Sequence, residues 1–195
     1  MAALGLALLS GCSEGPALSP LSAGATVLAF GNSLTRGTGA RSDESYPSVL
    51  AARTGLKVVN AGVPGEVTAE GLARLPGILE RVRPALVILC HGGNDMIRKK
   101  DLGVAESNLR AMIDASRAAG AQVVLVGVPA PGILLDTAEF YARVADETGV
   151  PIESDILEDL LGDNRYKADA IHPNAKGYAR MAEAIEALLR ESGAI

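Results

Sequence analysis

The sequence predicts one α/β domain, a three-layer α/β/α sandwich on a five-stranded parallel sheet. Three observations predict it. Short runs that are apolar throughout alternate with longer stretches of helical periodicity, and strands covered on both faces by crossover helices read this way. The length, 195 residues, is that of a single domain, and no internal repeat divides it. A composition 48% apolar and 21% charged suits a packed globule rather than a chain too polar to collapse.

The elements follow in order. Thr26 to Phe30 is an apolar run stopped by Gly31, a buried strand. Tyr46 to Arg53 is a helix with Val49 and Leu50 inward, and Leu56 to Asn60 is a second strand. Thr68 to Val82 places Leu72, Leu75, Leu79 and Val82 on one helical face, and Pro84 ends it. Ala85 to Cys90 is the clearest central strand, with Cys90 a buried thiol. Asp101 to Ala119 carries Leu102, Ala105, Leu109, Met112 and Ile113 as a stripe, closed by Gly120. Gln122 to Val128 is a fourth strand, Thr137 to Thr148 a helix, and Gly149-Val150-Pro151-Ile152 leads through a short edge strand. Asn174 to Arg190 closes the chain with Tyr178, Met181, Ile185, Leu188 and Leu189 on one face. The expected strand order is 2-1-3-4-5, flavodoxin-like, and ligands of such sheets collect outside the carboxyl ends of the strands.

Ahead of this domain, assigned to residues 25–195, the chain changes character. Residues 1–11 are almost wholly small or apolar, and Leu9-Ser10-Gly11-Cys12 resembles the cleavage box of a bacterial lipoprotein signal. On that resemblance Cys12 is lipidated, which excludes a disulfide to Cys90. Residues 12–24 are rich in Ser, Pro and Gly and read as a tether. The expected location is the periplasm or cell envelope, with membrane attachment only through lipid at Cys12. No run of about 18 apolar residues offers a membrane span. Lys and Arg number 18 against 23 Asp and Glu, a net charge of −5 that argues against nucleic acid as a partner. Aromatics at 3%, with no Trp, poorly supply a stacking platform for bases or sugars. A monomer is expected.

Four short segments carry the chemistry, each after a strand or before the last helix. In Gly31-Asn32-Ser33-Leu34-Thr35, a Ser on a tight turn can present its hydroxyl to a cleft, although alone it reads as a turn or N-cap residue. Asn60 to Glu66 contains glycines that let a backbone N–H face an anion. In Gly92-Gly93-Asn94-Asp95, the Asn94 amide can donate to a developing oxyanion or cap the next segment. In Asp169-Ala170-Ile171-His172-Pro173-Asn174, the carboxylate can hold Nδ1 of the imidazole and leave Nε2 free to take a proton from a hydroxyl. An unperturbed imidazole, with a pKa of about 6.5, suits a base near neutral pH.

Any one of these segments is weak; four in this order are specific. Over about residues 25–190 the chain resembles the SGNH hydrolases, also called the GDSL family of esterases and lipases. It is most similar to the bacterial branch of thioesterase I/lysophospholipase L1 and arylesterase, which Val59-Asn60-Ala61 and Leu72-Ala73-Arg74-Leu75-Pro76 also resemble. The resemblance implies the SGNH hydrolase fold, with Ser33 as nucleophile, His172 as general base and then acid, and Asp169 orienting His172. It implies an oxyanion hole of the Ser33 N–H, the Gly65 N–H and the Asn94 side-chain amide. Acyl transfer to Ser33 and then to water needs no metal and no cofactor. The implied substrates are aryl esters, short to medium acyl esters, acyl thioesters or lysophospholipids, that is, a small-molecule or lipid ester. The alternatives are a carbohydrate O-deacetylase of the same family and a binding lipoprotein of impaired activity.

One position departs from the family pattern. Asn32 stands where the family carries Asp. Asn is nearly isosteric and still accepts through its oxygen, but the charge is gone, which bears on the nucleophile turn and on His172. Other residues read more plainly. His91 is expected to pack or bond locally, Asp95 to bond nearby backbone, and Arg98-Lys99-Lys100 to be solvated. Asp101, Asp136, Asp155 and Asp163 are spaced too irregularly for a metal cage. Met96 to Leu102 and Pro129 to Asp136 are expected to border the pocket, with Pro131 to Leu135 either accepting an acyl chain or packing into the core.

Overall fold

A computed structural model describes residues 17–132 and 135–195. The expected signal segment, Cys12, Ile133 and Leu134 lie outside the described residues. The sheet holds β1 (Thr26–Gly31), β2 (Lys57–Gly62), β3 (Leu86–Cys90), β4 (Gln122–Val126) and β5 (Ile152–Glu153). All pair in parallel, in the predicted order β2-β1-β3-β4-β5. Every residue of β3, and all of β1 after Thr26, is buried, as continuous apolar runs require at the centre of a covered sheet.

The helices are α1 (Ser33–Arg36), α2 (Tyr46–Thr54), α3 (Thr68–Val82), α4 (Gly93–Ile97), α5 (Leu102–Ala118), α6 (Glu139–Thr148), α7 (Ile156–Gly162) and α8 (Ala175–Glu191). The connection from β1 to β2 runs one way across the sheet, and those from β2 to β3, β4 and β5 run the other way. Right-handed crossovers therefore put α2 on one face and α3, α5 and α6 on the other. The packing agrees: α2 lies on α8, while α5 lies between α3 and α6. Chains leaving β1 and β3 diverge at the carboxyl ends, and this divergence opens a crevice between them.

Three short helices were not legible in the sequence. A single turn such as α1 or α4 is too short to show a period. In α7 the apolar positions Ile156, Leu157, Leu160 and Leu161 are all buried beside α8, a helical pattern within a stretch that otherwise reads as acidic loop. The helix expected from Thr137 begins instead at Glu139. Thr137 is held elsewhere: its N–H donates to the Glu158 carboxylate, and its Oγ1 donates to the Ser154 carbonyl at 2.6 Å. It also bridges antiparallel to Pro129, closing the loop between β4 and α6 at its base.

Of the segment expected as a tether, residues 17–24 lie along the amino-terminal edge of the sheet. Leu18 and Leu21 N–H groups donate to the Ser192 and Ala194 carbonyls at 2.7 and 2.8 Å, and both side chains pack on the core. The Gln122 amide brackets the Ser19 backbone, accepting at 2.6 Å and donating at 2.8 Å.

At the opposite, carboxyl edge, Gly31, Gly62 and Cys90 end three adjacent strands in register. A Cβ on Gly31 would run into the Cys90 carbonyl and Thr35 Oγ1. By contrast, Gly77 is an exposed residue inside α3 with open space around it. Gly31→Ala is expected to cost about 1–3 kcal/mol through forced overpacking, whereas Gly77→Ala is expected to stabilise by about 0.5–1 kcal/mol through helix propensity. Urea unfolding midpoints of the two variants check this pair; an unmoved midpoint for Gly31→Ala would show that β1 and β3 part there without cost.

Candidate active site

Ser33 is the first residue of α1 and sits half-buried at the crevice. Asn32 caps the turn, its Oδ1 accepting the Leu34 N–H at 3.0 Å, and Gly37 leaves it with a left-handed φ of 88°. Leu34 and Thr35 are buried beneath, so the turn is held from below and by its cap. The cap needs only an oxygen, which is why Asn fits where the family pattern has Asp.

His172 arrives on the loop before α8. Asp169 Oδ1 accepts the N–H groups of Ile171 and His172, each at 2.9 Å, and Oδ2 stands 2.8 Å from His172 Nδ1. The Ala168 N–H closes the loop on the His172 carbonyl at 2.9 Å. A ring proton shared with the carboxylate belongs on Nδ1, which makes Nε2 an acceptor. Ser33 Oγ lies 3.0 Å from that Nε2. Ser33, Asp169 and His172 thus meet as the sequence led one to expect. Burial pushes the Asp169 carboxyl up, but the bonds from His172 and the Ile171 N–H outweigh it and hold the group below its ordinary value.

Two contacts bring these distant segments together. Buried Tyr178 on α8 donates its hydroxyl to the Thr38 carbonyl at 2.7 Å. Gly39 has a φ of 100°, and a Cβ there would stand 2.5 Å from the Pro173 carbonyl oxygen and 2.9 Å from Ala168 Cβ. Only glycine lets the nucleophile turn and the His172 loop approach so closely.

Asn94 stands in α4, after a left-handed Gly92 packed against the Tyr141 hydroxyl. One N–H of its amide donates to the Glu66 carbonyl at 2.9 Å, which orients the group and leaves the second N–H for the cleft. Among the described residues neither the Ser33 nor the Gly65 N–H has an acceptor. Gly65 has a φ of 79° and is not part of the cleft's apolar wall; it lies on the loop that Asn94 grips, its carbonyl taken by Arg98 Nη2 at 2.7 Å. The cleft beside Ser33 and Asn94 has a volume of about 200 Å³. Leu34, Ile97, Val128, Leu135, Leu161 and Ile171 supply its apolar lining, so Leu135 borders the cleft rather than the core.

Several neighbours do more than the sequence shows. The Asp95 carboxylate bonds backbone as expected, but of a segment distant in sequence: it accepts from the Thr68 N–H at 2.9 Å and Thr68 Oγ1 at 2.7 Å, tying α4 to the start of α3. Arg98 is exposed as expected and also donates to the Gly65 carbonyl. His91 is fully buried and bonds locally through Nδ1, which accepts from the Gly92 N–H, but it also reaches a distant partner, with Nε2 3.0 Å from Glu66 Oε2. Arg74 completes that group; Glu66 and Arg74 stand in the segments Asn60 to Glu66 and Leu72 to Pro76, but no spacing along the chain gives either side chain a role. Burial raises the Glu66 carboxyl, but His91 and Arg74 more than offset this and hold it below its ordinary value. Cys90 is a buried thiol pushed up to about 12 by burial, so it stays protonated. Among the described residues no group of three or more His, Cys, Asp or Glu side chains is arranged to hold a metal ion.

Residues 29–180 match the GDSL-like lipase/acylhydrolase family. The chain belongs to that family. Esterase TesA of Pseudomonas aeruginosa is 32% identical to it over 187 residues, covering 90% of this chain and 93% of that protein. Thioesterase 1/protease 1/lysophospholipase L1 of Escherichia coli is 32% identical over 157 residues, 76% of each chain. The crystal structure of TesA matches with a TM-score of 0.78 at 30% identity, covering 86% of this chain and 99% of that one. The five-stranded sheet and its flanking helices are therefore the SGNH hydrolase fold, and this GDSL-family chain is a hydrolase of the esterase kind.

Two measurements test how the site is held. Asn32→Ala removes the cap acceptor and is expected to cost about 0.5–2 kcal/mol in urea unfolding, while Asn32→Asp keeps an oxygen there and most of the stability. Because the Asp169 carboxyl is lowered, its stabilisation is complete above its ordinary value of 3.8 and is lost as pH falls through the lower folded value. The melting-temperature gap between wild type and Asp169→Asn should be open at pH 7 and close in strong acid; a gap independent of pH would show that the charge contributes nothing.

Proposed function

We propose that this chain is a serine esterase that hydrolyses acyl esters through an acyl-enzyme on Ser33. The observation that carries the reading is the 3.0 Å approach of Ser33 Oγ to His172 Nε2, with Nδ1 of the same ring held by Asp169. Ser33 Oγ attacks the acyl carbonyl carbon while His172 Nε2 takes the hydroxyl proton. The carbonyl oxygen becomes an oxyanion facing the Ser33 N–H, the Gly65 N–H and the free N–H of Asn94. His172 then returns the proton to the leaving oxygen or sulfur as its bond to the acyl carbon breaks. Water, deprotonated by His172, attacks the acyl-enzyme, and the acid leaves as Ser33 recovers its proton.

The apolar lining of the cleft supports aryl and short to medium acyl esters, with acyl thioesters and lysophospholipids as related substrates. The names of the relatives, an esterase and a thioesterase 1/protease 1/lysophospholipase L1, point the same way. The Leu9–Cys12 box supports a lipid-anchored enzyme of the cell envelope. With residues 17–24 docked at the amino-terminal edge of the sheet, such an anchor would leave from the side opposite the cleft.

The test is an ester panel running from acetylated sugars through aryl acetates to long acyl chains. Wild type is expected to turn over aryl or short acyl esters and to take up a fluorophosphonate label, and Ser33→Ala is expected to do neither. Asn94→Ala should lose about 10²–10³-fold in kcat, the effect of one missing oxyanion donor. Asn32→Asp should be equal to wild type or faster. Equal turnover by Ser33→Ala rejects the mechanism, and turnover confined to acetylated sugars moves the reading to an O-deacetylase.

A further inference from the structure

Beneath the crevice lie three charged or titratable side chains that the proposed acyl transfer does not use. His91 is fully buried, Glu66 is 6% exposed and Arg74 on α3 is mostly covered. Burying such groups costs desolvation, and apolar residues of similar volume often serve stability as well or better. Their bonds all end at the carboxyl edge of the sheet. Arg74 Nε and Nη2 donate to the two Glu66 carboxylate oxygens at 2.5 and 2.6 Å. The same Nη2 reaches the Gly31 carbonyl at 3.2 Å and the Ala61 carbonyl at 2.9 Å, at the ends of β1 and β2. Glu66 Oε2 meets His91 Nε2, and His91 stands immediately after β3.

The bonds assign the tautomer of His91. The Gly92 N–H donates to Nδ1 at 3.3 Å, so the ring proton is on Nε2 and is given to Glu66. Both nitrogens are occupied, and the ring has no lone pair left to accept a substrate proton. Gly71 makes room for it: a Cβ there would stand 2.5 Å from Nε2 and 3.0 Å from Cδ2. Tyr141 donates to the His91 carbonyl at 2.6 Å, and the Arg74 guanidinium lies 4.1 Å from the Phe30 ring centroid. Arg suits this geometry, because its planar fork holds both Glu66 carboxylate oxygens through Nε and Nη2 while Nη2 also reaches two carbonyls, and the single nitrogen of Lys cannot reproduce that bidentate hold.

We propose that Glu66, Arg74 and His91 form a buried clamp that positions the oxyanion donors of Gly65 and Asn94 against Ser33. Gly31 leads directly into the Ser33 turn, Ala61 into the Gly65 loop and His91 into Asn94, so the clamp ties together the three backbone stems that carry the donors. Glu66 also follows Gly65 directly, and its carbonyl orients the Asn94 amide. The three are positioning residues, acting through the donors rather than on substrate. The inference rests on the serine esterase reading. Its physical basis is that oxyanion donors act only when held in place before charge develops.

The test uses the full chain with p-nitrophenyl acetate, and the variants Arg74→Lys, Glu66→Gln and His91→Leu, each also in an Asn94→Ala background. Misplacing the donors is expected to lower kcat by about 10- to 100-fold with KM within about twofold, in variants that still unfold cooperatively above the assay temperature. In the Asn94→Ala background the same substitutions should cost under about threefold, because part of what they position is already gone. Should His91→Leu not fold, Arg74→Lys, which keeps the charge, carries the test. Equal losses in both backgrounds, or unchanged kcat in a folded Arg74→Lys, overturns the proposal. Ser33→Ala assayed in parallel separates the two ideas: hydrolysis persisting there overturns the esterase reading itself.

Discussion

Between Ser33 Oγ and His172 Nε2 lies a single 3.0 Å hydrogen bond that joins the first strand's exit to the loop before the last helix. Most of the tertiary structure can be understood as what makes that bond possible. The sheet order places β1 at the point where connections diverge, so the Ser33 turn opens onto a crevice rather than onto a crossover. Helix α8 packs on α2 across the face beside it, which carries the His172 loop over the nucleophile turn. Tyr178 and Gly39 then settle the final approach, one by a buried hydrogen bond and the other by having no side chain.

The catalytic polar groups are gathered at one edge of a sheet whose centre is apolar. The centre of the sheet is filled by residues such as Leu28, Ile88 and Val124, none of them exposed. Such a close-packed core has low compressibility and resists displacement of the strands that carry the site. At the carboxyl edge the chain changes strategy. Glycines at the strand ends bring backbones together, and charged side chains replace apolar packing in holding the loops. Hydrogen bonds and ion pairs are directional, and a directional constraint is what a set of donors converging on one oxygen requires.

Much of this could be read from residue order. The apolar runs and the helical stripes of α3, α5 and α8 stand in the structure where the sequence puts them, with small shifts at their ends. Periodicity failed where elements were too short to show a period, as in α1 and α4, and where a side chain found a distant partner, as with Thr137 and Glu158. Asp95 and His91 illustrate the same limit. Each stands beside a recognisable segment and looks local, yet each bonds a residue more than twenty positions away.

The amino-acid order thus settled the fold class, the strand order, the family and the identity of the Ser, Asp and His that meet, because burial patterns and short contiguous segments are properties of neighbours along the chain. Folding in three dimensions settled the rest: the 3.0 Å approach across the crevice, the orientation of the Asn94 amide, the apolar wall and the Glu66–Arg74–His91 group. These depend on contacts between segments far apart in sequence, and no local pattern encodes a distance across a packed core.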